Sequence, residues 1–150
     1  MSDLHELYQE LIVDHGKKPR NFGPLEGANR QATGYNPLCG DKITVFLKVE
    51  NDVVREIRFH GTGCAISTAS ASLMTERIRG MNPTQAEALF AVFHKLVTGK
   101  EITEQDRAQL SKLGAFSGVK EFPIRVKCAT LPWHTFRAAL QGIPEPASIE

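Results

Sequence analysis

Residues 41–61 read DKITVFLKVENDVVREIRFHG. Ile43, Val45, Leu47 and Val49 alternate with Thr44, Phe46 and Lys48, the period of a strand with one buried face. Glu50, Asn51 and Asp52 form a turn, and Val54 to Phe59 returns as a second strand. The segment is therefore an antiparallel hairpin with one apolar face, and that face needs a cover. What flanks it is helical.

Upstream, Leu4, Leu7, Tyr8, Leu11 and Ile12 recur at helical spacing, which predicts an amphipathic helix over residues 3–15. Gly16 and the stretch KKPRNFGPLEG end it in a loop. Downstream, AISTASASLMTERIRG, residues 65–80, predicts a helix capped by Ser67 or Thr68 and ended by Gly80. Its Ala and Ser content allows a neighbouring backbone to approach closely. A helix from Pro83 to Val97 follows, stopped at Gly99. Next comes a shorter one within EITEQDRAQLSKLG, capped by Thr103 and closed by Gly114. FSGVKEFPIRVKC, residues 116–128, reads as extended or looped because Pro123 steers Phe122 away from helical angles. The last helix is predicted from Leu131 to Leu140, with Pro132 in its first turn and Gly142 at its end. Residues 143–150 read as a frayed tail. One hairpin sheet among several helices is an α+β pattern, and no repeat, linker or boundary divides residues 1–150.

The bulk numbers set the partner classes. A chain of 150 residues with 41% hydrophobic and 23% charged content suits one soluble domain. A net charge of +1 gives no electrostatic reason for nucleic acid or an anionic membrane as partner. No apolar run approaches the roughly 20 residues of a membrane span, and the amino terminus lacks a signal-peptide design. The expectation is a cytoplasmic protein.

Three cysteines, Cys39, Cys64 and Cys128, are an odd number in a reducing compartment, so they are buried, reactive or metal-bound. Each falls where the chain changes element. Cys64 and Cys128 are read as lying just ahead of helix starts, where thiolates are favoured, and glycines flank Cys39 and Cys64. If the three thiols converge, Asp41 is the natural fourth ligand. Residues two apart on an extended segment share a face, so Cys39 and Asp41 can hold one ion. Cys3Asp fits tetrahedral zinc and equally iron in a sulfide cluster. Arg125 and Lys127 can face the cluster and offset its charge. Spacing alone leaves three unrelated cysteines or a catalytic thiol as alternatives.

On these residues the chain resembles the IscU/SufU family of iron–sulfur assembly proteins, related to the NifU N-terminal domain. LYQELIVDHGKKPRNFG resembles the family's amino-terminal helix and loop. NPLCGD and GTGCAISTASASLM are similar to its first two cysteine motifs, and VKCATLPWHT to its third. The resemblance implies an α+β fold, with a small antiparallel sheet of three strands or so against about four to five helices. It also implies Cys39, Asp41, Cys64 and Cys128 as metal ligands. Lys127 stands where scaffold members carry a histidine, FPIRVKC lacks their proline-rich docking segment, and the region before Cys128 is longer. All three features resemble the SufU type. That type implies a zinc-bound sulfur acceptor, sulfurtransferase-like rather than a stand-alone enzyme. Its partners would be a PLP-dependent cysteine desulfurase and downstream assembly proteins, with Cys39 accepting the sulfur and Arg125 pairing with Asp41 or steering the persulfide. The alternatives are a scaffold holding iron or a [2Fe–2S] cluster on the same ligands, and a purely structural zinc domain. His60 and His134 are candidates for the surroundings of the site, with packing the plainer role, and His15 for a partner contact.

Overall fold

The computed structural model describes residues 2–142, except for the side chains of residues 2–5 and 7, so the expected frayed tail and the inward face of Leu4 and Leu7 lie outside the described residues. The helix α1 spans Ser2–Lys17, followed by strands β1 (Arg30–Asn36), β2 (Asp41–Glu50) and β3 (Val53–Thr62). Helices α2 (Ala65–Ile78), α3 (Pro83–Val97) and α4 (Glu104–Leu110) come next, then a 3₁₀ segment (Ser111–Glu121) and α5 (Pro123–Gln141). Among the described residues no helix is long and apolar enough to cross a membrane.

The strands form one antiparallel sheet in the order β1-β2-β3. The turn between β2 and β3 is two residues, Asn51 and Asp52, both at positive φ (53° and 62°), a conformation that Asn and Asp tolerate better than most side chains. The alternation read from the sequence sets the inward face: Ile43, Val45 and Leu47 on β2, with Ile57 and Phe59 on β3, are at most 3% exposed. They pack on α2 and α5, which cover the sheet.

The small residues of α2 do what their size permits. Ser67, Ala69, Ser70, Ala71 and Ser72 are all buried, and α2 is flanked by α1 and α5. Ser70 Oγ donates to the Ala129 carbonyl of α5 at 2.6 Å and accepts the Trp133 indole N–H at 3.1 Å. Trp133 is stacked on Phe93 and Phe90, with ring centroids at 4.8 and 5.7 Å. Phe136 is also buried. The outer helices carry the caps their sequences advertise. Asn82 with Gln85 and Thr103 with Asp106 are reciprocal capping boxes.

Three sequence expectations are corrected. Cys64, rather than Ser67 or Thr68, caps α2. Gly114 does not end a helix; Ser111, at φ 51°, ends α4, and the chain continues as 3₁₀ turns through Glu121. The segment 116–128, read as extended or looped, is 3₁₀ through Glu121 and from Pro123 onward is the start of α5. Pro123 starts that helix at its first position, where no N–H bond is needed. Pro132 lies inside it, fully enclosed. A proline in a helix interior removes one ladder bond and crowds the preceding turn; the carbonyl left without its ladder donor is that of Cys128, and the Ser70 hydroxyl donates to the adjacent Ala129 carbonyl.

Candidate metal centre

The site lies at the end of the sheet where β1 turns into β2. Asn36 and Asp41 face each other as the closing pair of that hairpin. The four residues between them make the turn, with the Cys39 N–H donating to the Asn36 carbonyl at 3.2 Å. Gly40 has φ +70°, a left-handed conformation that glycine adopts without penalty. Cys39 and Asp41 thus converge through a turn. They do not alternate along an extended strand as the sequence suggested.

Ligand atoms of Cys39, Asp41 and Cys128 all lie within 4.8 Å of one another. Cys128 Sγ is 3.2 Å from Cys39 Sγ. Four donors around a tetrahedral ion with sulfur at about 2.3 Å sit about 3.8 Å apart, so the observed spacing fits one cation after small side-chain rotations. The Cys64 thiol stands outside this closest group yet is tied to it. Its backbone N–H donates to Asp41 Oδ1 at 2.9 Å, and its sulfur accepts the Ser67 N–H at 3.4 Å as the cap of α2. Asp41 and Cys128 are each 2% exposed, while Cys39 and Cys64 are only partly buried.

The thiols are unequal. Cys64 is held down to about 6, first by the hydrogen bond from the Cys128 thiol and also by the Ser67 and Ile66 N–H groups, against burial and the Asp41 charge. Cys128 is pushed above the usual thiol range by its bond to Cys64, by burial and by its bond to Cys39. These contacts favour the thiolate form at Cys64 and the protonated form at Cys128. Cys128 lies in the second turn of α5, not ahead of a helix start, so the helix-terminus argument holds for Cys64 alone. Two thiols, a thiolate-poised cysteine and a buried carboxylate suit zinc or iron.

Two contributors gain their particular roles only in the structure, Asn36 unforeseen and Gly63 foreseen only as a flanking glycine. Asn36, 1% exposed, points its amide at Asp41 Oδ2 (3.4 Å) and Cys128 Sγ (3.7 Å), and its Oδ1 is buried without a partner. Its signal was its place opposite Asp41 across the turn. Gly63 is the second: a Cβ there would sit 2.6 Å from Asp41 Oδ1, so only glycine leaves room for the carboxylate.

Arg125 does not pair with Asp41. Its guanidinium stacks over the Phe122 ring at 4.4 Å on the surface, and neither it nor Lys127 joins an ion pair among the described residues. The Asp41 charge is met by the Cys64 N–H and the Asn36 amide instead. His60 packs on Phe46 (5.1 Å), and His134 on Phe90 (5.2 Å). His15 is 2% exposed, with Nδ1 2.6 Å from Ser72 Oγ; it clasps α1 to α2 and offers no surface to a partner.

Comparison with known proteins places the chain in a family. Residues 7–129 match the family described as the NifU-like N terminal domain. The chain is 38% identical over 141 residues to the iron-sulfur cluster assembly scaffold protein IscU of Streptococcus pyogenes serotype M1, covering 94% of this chain and 87% of that one. It is 41% identical over 132 residues to the zinc-dependent sulfurtransferase SufU of Bacillus subtilis (strain 168), covering 88% of each. A crystal structure of a SUF-system protein from Fervidobacterium islandicum AW-1 superposes with a TM-score of 0.82 at 36% identity, covering 91% of this chain and 98% of that one. With this sheet, these helices and these relatives, the chain is a member of the NifU-like N-terminal domain family of iron–sulfur cluster assembly proteins, which includes IscU and SufU.

Proposed function

We propose that this protein is a zinc-bound sulfur acceptor, taking persulfide sulfur from a cysteine desulfurase onto Cys39 and passing it on for iron–sulfur cluster assembly in a reducing cytoplasm. One observation carries the reading: Cys39 lies partly exposed on a turn whose other residues, Pro37, Leu38 and Gly40, are exposed, while Asp41 and Cys128 are buried and Cys64, also partly buried, is engaged as the cap of α2. A purely structural centre has no need to place one thiol at the surface.

Cys39, Asp41, Cys64 and Cys128 would hold the zinc, which when bound would keep the thiols deprotonated and resistant to oxidation. In the transfer, the Cys39 thiolate attacks the outer sulfur of the donor persulfide. A bond forms from Cys39 Sγ to that sulfur, the donor S–S bond breaks, and the donor cysteine leaves as thiolate. Asp41, positioned by the Cys64 N–H and Asn36, keeps its carboxylate beside the reacting thiol. Arg125, exposed one turn before Cys128, is assigned to steering the anionic persulfide.

The rim supports docking of a protein donor. Tyr35 and Leu38, 49% and 65% exposed, precede Cys39, and Phe122 and Ile124, 47% and 54% exposed, lie at the start of the helix bearing Cys128. Apolar side chains clustered around one site mark an interaction surface.

The test is to mix the protein with a cysteine desulfurase and cysteine, then follow turnover and the mass of Cys39. The expected result is accelerated turnover and one or more added sulfur atoms on Cys39, with Cys39→Ser folded but inert. A Cys39→Ser protein that unfolds would favour a structural zinc domain. Arg125→Ala accepting sulfur at the normal rate removes the steering role. The IscU relatives support a second reading, a scaffold for a [2Fe–2S] cluster as cargo on the same ligands. A brown protein with sulfide and iron in equal amounts after anaerobic purification would select it; colourless zinc protein selects transfer.

A further inference from the structure

A second concavity lies beside the metal centre and is not used by it. Three elements build it: the end of α3 contributes His94 and, as the cap, Thr98; the end of the 3₁₀ segment contributes Lys120; and the start of α5 contributes Pro123, Val126, Lys127 and Thr130. Its volume is about 290 Å³, just under the lower end of the range for pockets that enclose organic ligands, about 300 Å³.

The chemistry of the walls is specific. The Thr98 and Thr130 hydroxyls donate to helix carbonyls, of His94 at 2.7 Å and Val126 at 3.0 Å, so their methyl groups join Pro123 and Val126 as an apolar lining. The Lys120 stem runs along Gly99, where a Cβ would meet it at 3.6 Å. Every ionisable group in the lining is a base, and no carboxylate lines the cleft. Neither lysine has an ion-pair partner among the described residues. The protonation of His94 is disfavoured by burial and then by Lys100 and Arg137 nearby.

Apolar walls with cations at the mouth call for a small amphiphile of negative charge. We propose that this cleft binds a small organic carboxylate, its apolar body against Pro123, Val126 and the threonine methyls and its carboxylate between Lys120 and Lys127. A bare inorganic anion leaves the apolar wall uncovered, and a neutral alcohol leaves the lysines unanswered.

The probes are hexanoate, hexanol and inorganic phosphate, titrated into the full-length protein as purified and read by amide chemical shifts. The expected result is saturable hexanoate shifts centred on residues 94–98, 120 and 123–130, with hexanol and phosphate each weaker. Lys120→Gln and Lys127→Gln should each weaken hexanoate about two- to five-fold, the scale of a half-exposed ion pair. Val126→Ser should weaken hexanoate while leaving phosphate unchanged. Equal binding of hexanol and hexanoate, unchanged binding in both lysine variants, or shifts scattered over the surface without saturation would each overturn the proposal.

Discussion

The backbone N–H of Cys64 donates to Oδ1 of Asp41 at 2.9 Å, so the cap of α2 and the first residue of β2 are joined inside the candidate metal centre. One carboxylate is both a candidate ligand and the anchor for the residue bearing another. Changes at Asp41 should therefore separate charge from anchoring. Asp41→Asn keeps an acceptor for the Cys64 N–H, and the expected outcome is a folded protein with weakened zinc retention. Asp41→Ala leaves that donor without its partner and should cost a further 1–3 kcal/mol or so of stability. Chelator competition and urea unfolding on both variants measure the two effects.

Gly63→Ala attacks the same anchor from outside. The added methyl carbon would lie 2.6 Å from Asp41 Oδ1, and the carboxylate must swing away. Zinc retention should fall more sharply than the unfolding midpoint, measured by metal analysis after dialysis against a mild chelator. Full zinc occupancy in this variant would show that Asp41 is not held where the geometry places it.

Gly34→Ala tests the packing of sheet on helix. A Cβ at Gly34 would meet Thr135 Oγ1 at 2.2 Å and Leu131 Cδ1 at 3.1 Å, so β1 and α5 must separate. Overpacking of this kind costs about 1–3 kcal/mol. Adding Thr135→Ala removes the closest atom and should restore part of the loss, a non-additivity expected for residues in contact. Urea midpoints of the two single variants and the double variant decide it.

Acid should destabilise the fold through its buried imidazoles. His134 is held down to about 4 by burial and then by Arg137 and His94, and His15 is lowered chiefly by burial, then by Arg20. Both are neutral in the folded protein, whereas an unfolded histidine protonates near 6.5. Their contribution is thus complete above about pH 6.5. It is lost as pH falls from there towards the folded value, about 4 for His134, at up to about 1.4 kcal/mol per pH unit for each group. Unfolding curves at pH 7.5, 6 and 5 should show this decline, and His134→Gln should flatten it. An unchanged slope in that variant would move the pH dependence elsewhere.

Metal uptake should also weaken in acid, for a different reason. Cys128 is pushed above the usual thiol range by donating to Cys64 and by burial, so binding a cation must expel its proton. Cys64, held near 6, is already a thiolate at neutral pH and loses that form in acid. Apparent zinc affinity should rise with pH between 6 and 9, about tenfold per unit for each proton released. Competition with a colorimetric chelator across that range measures the slope, and a flat profile would mean Cys128 is not a ligand.

The hairpin, the bodies of helices α2 to α4 and the Thr103 cap were legible because their signals are local. A period of two in β2, left-handed-tolerant Asn51 and Asp52, and the Thr103 cap each depend on neighbours within a turn or a strand pair. The four candidate ligands were also legible as residue types. Their meeting was not: Cys39 and Cys128 are 89 residues apart, and no periodicity encodes that distance. The start of α5 was equally closed to local reasoning. Pro123 and Pro132 carry the same helix-start signal, and the apolar cover that α5 gives the sheet, together with Ser70 serving the backbone beside Pro132, made Pro123 the first position and Pro132 an interior one. The same holds for Asn36 and His15. Each looks like an ordinary loop or helix-end residue until long-range packing buries it, and burial is what turns a polar group into one that must find a partner.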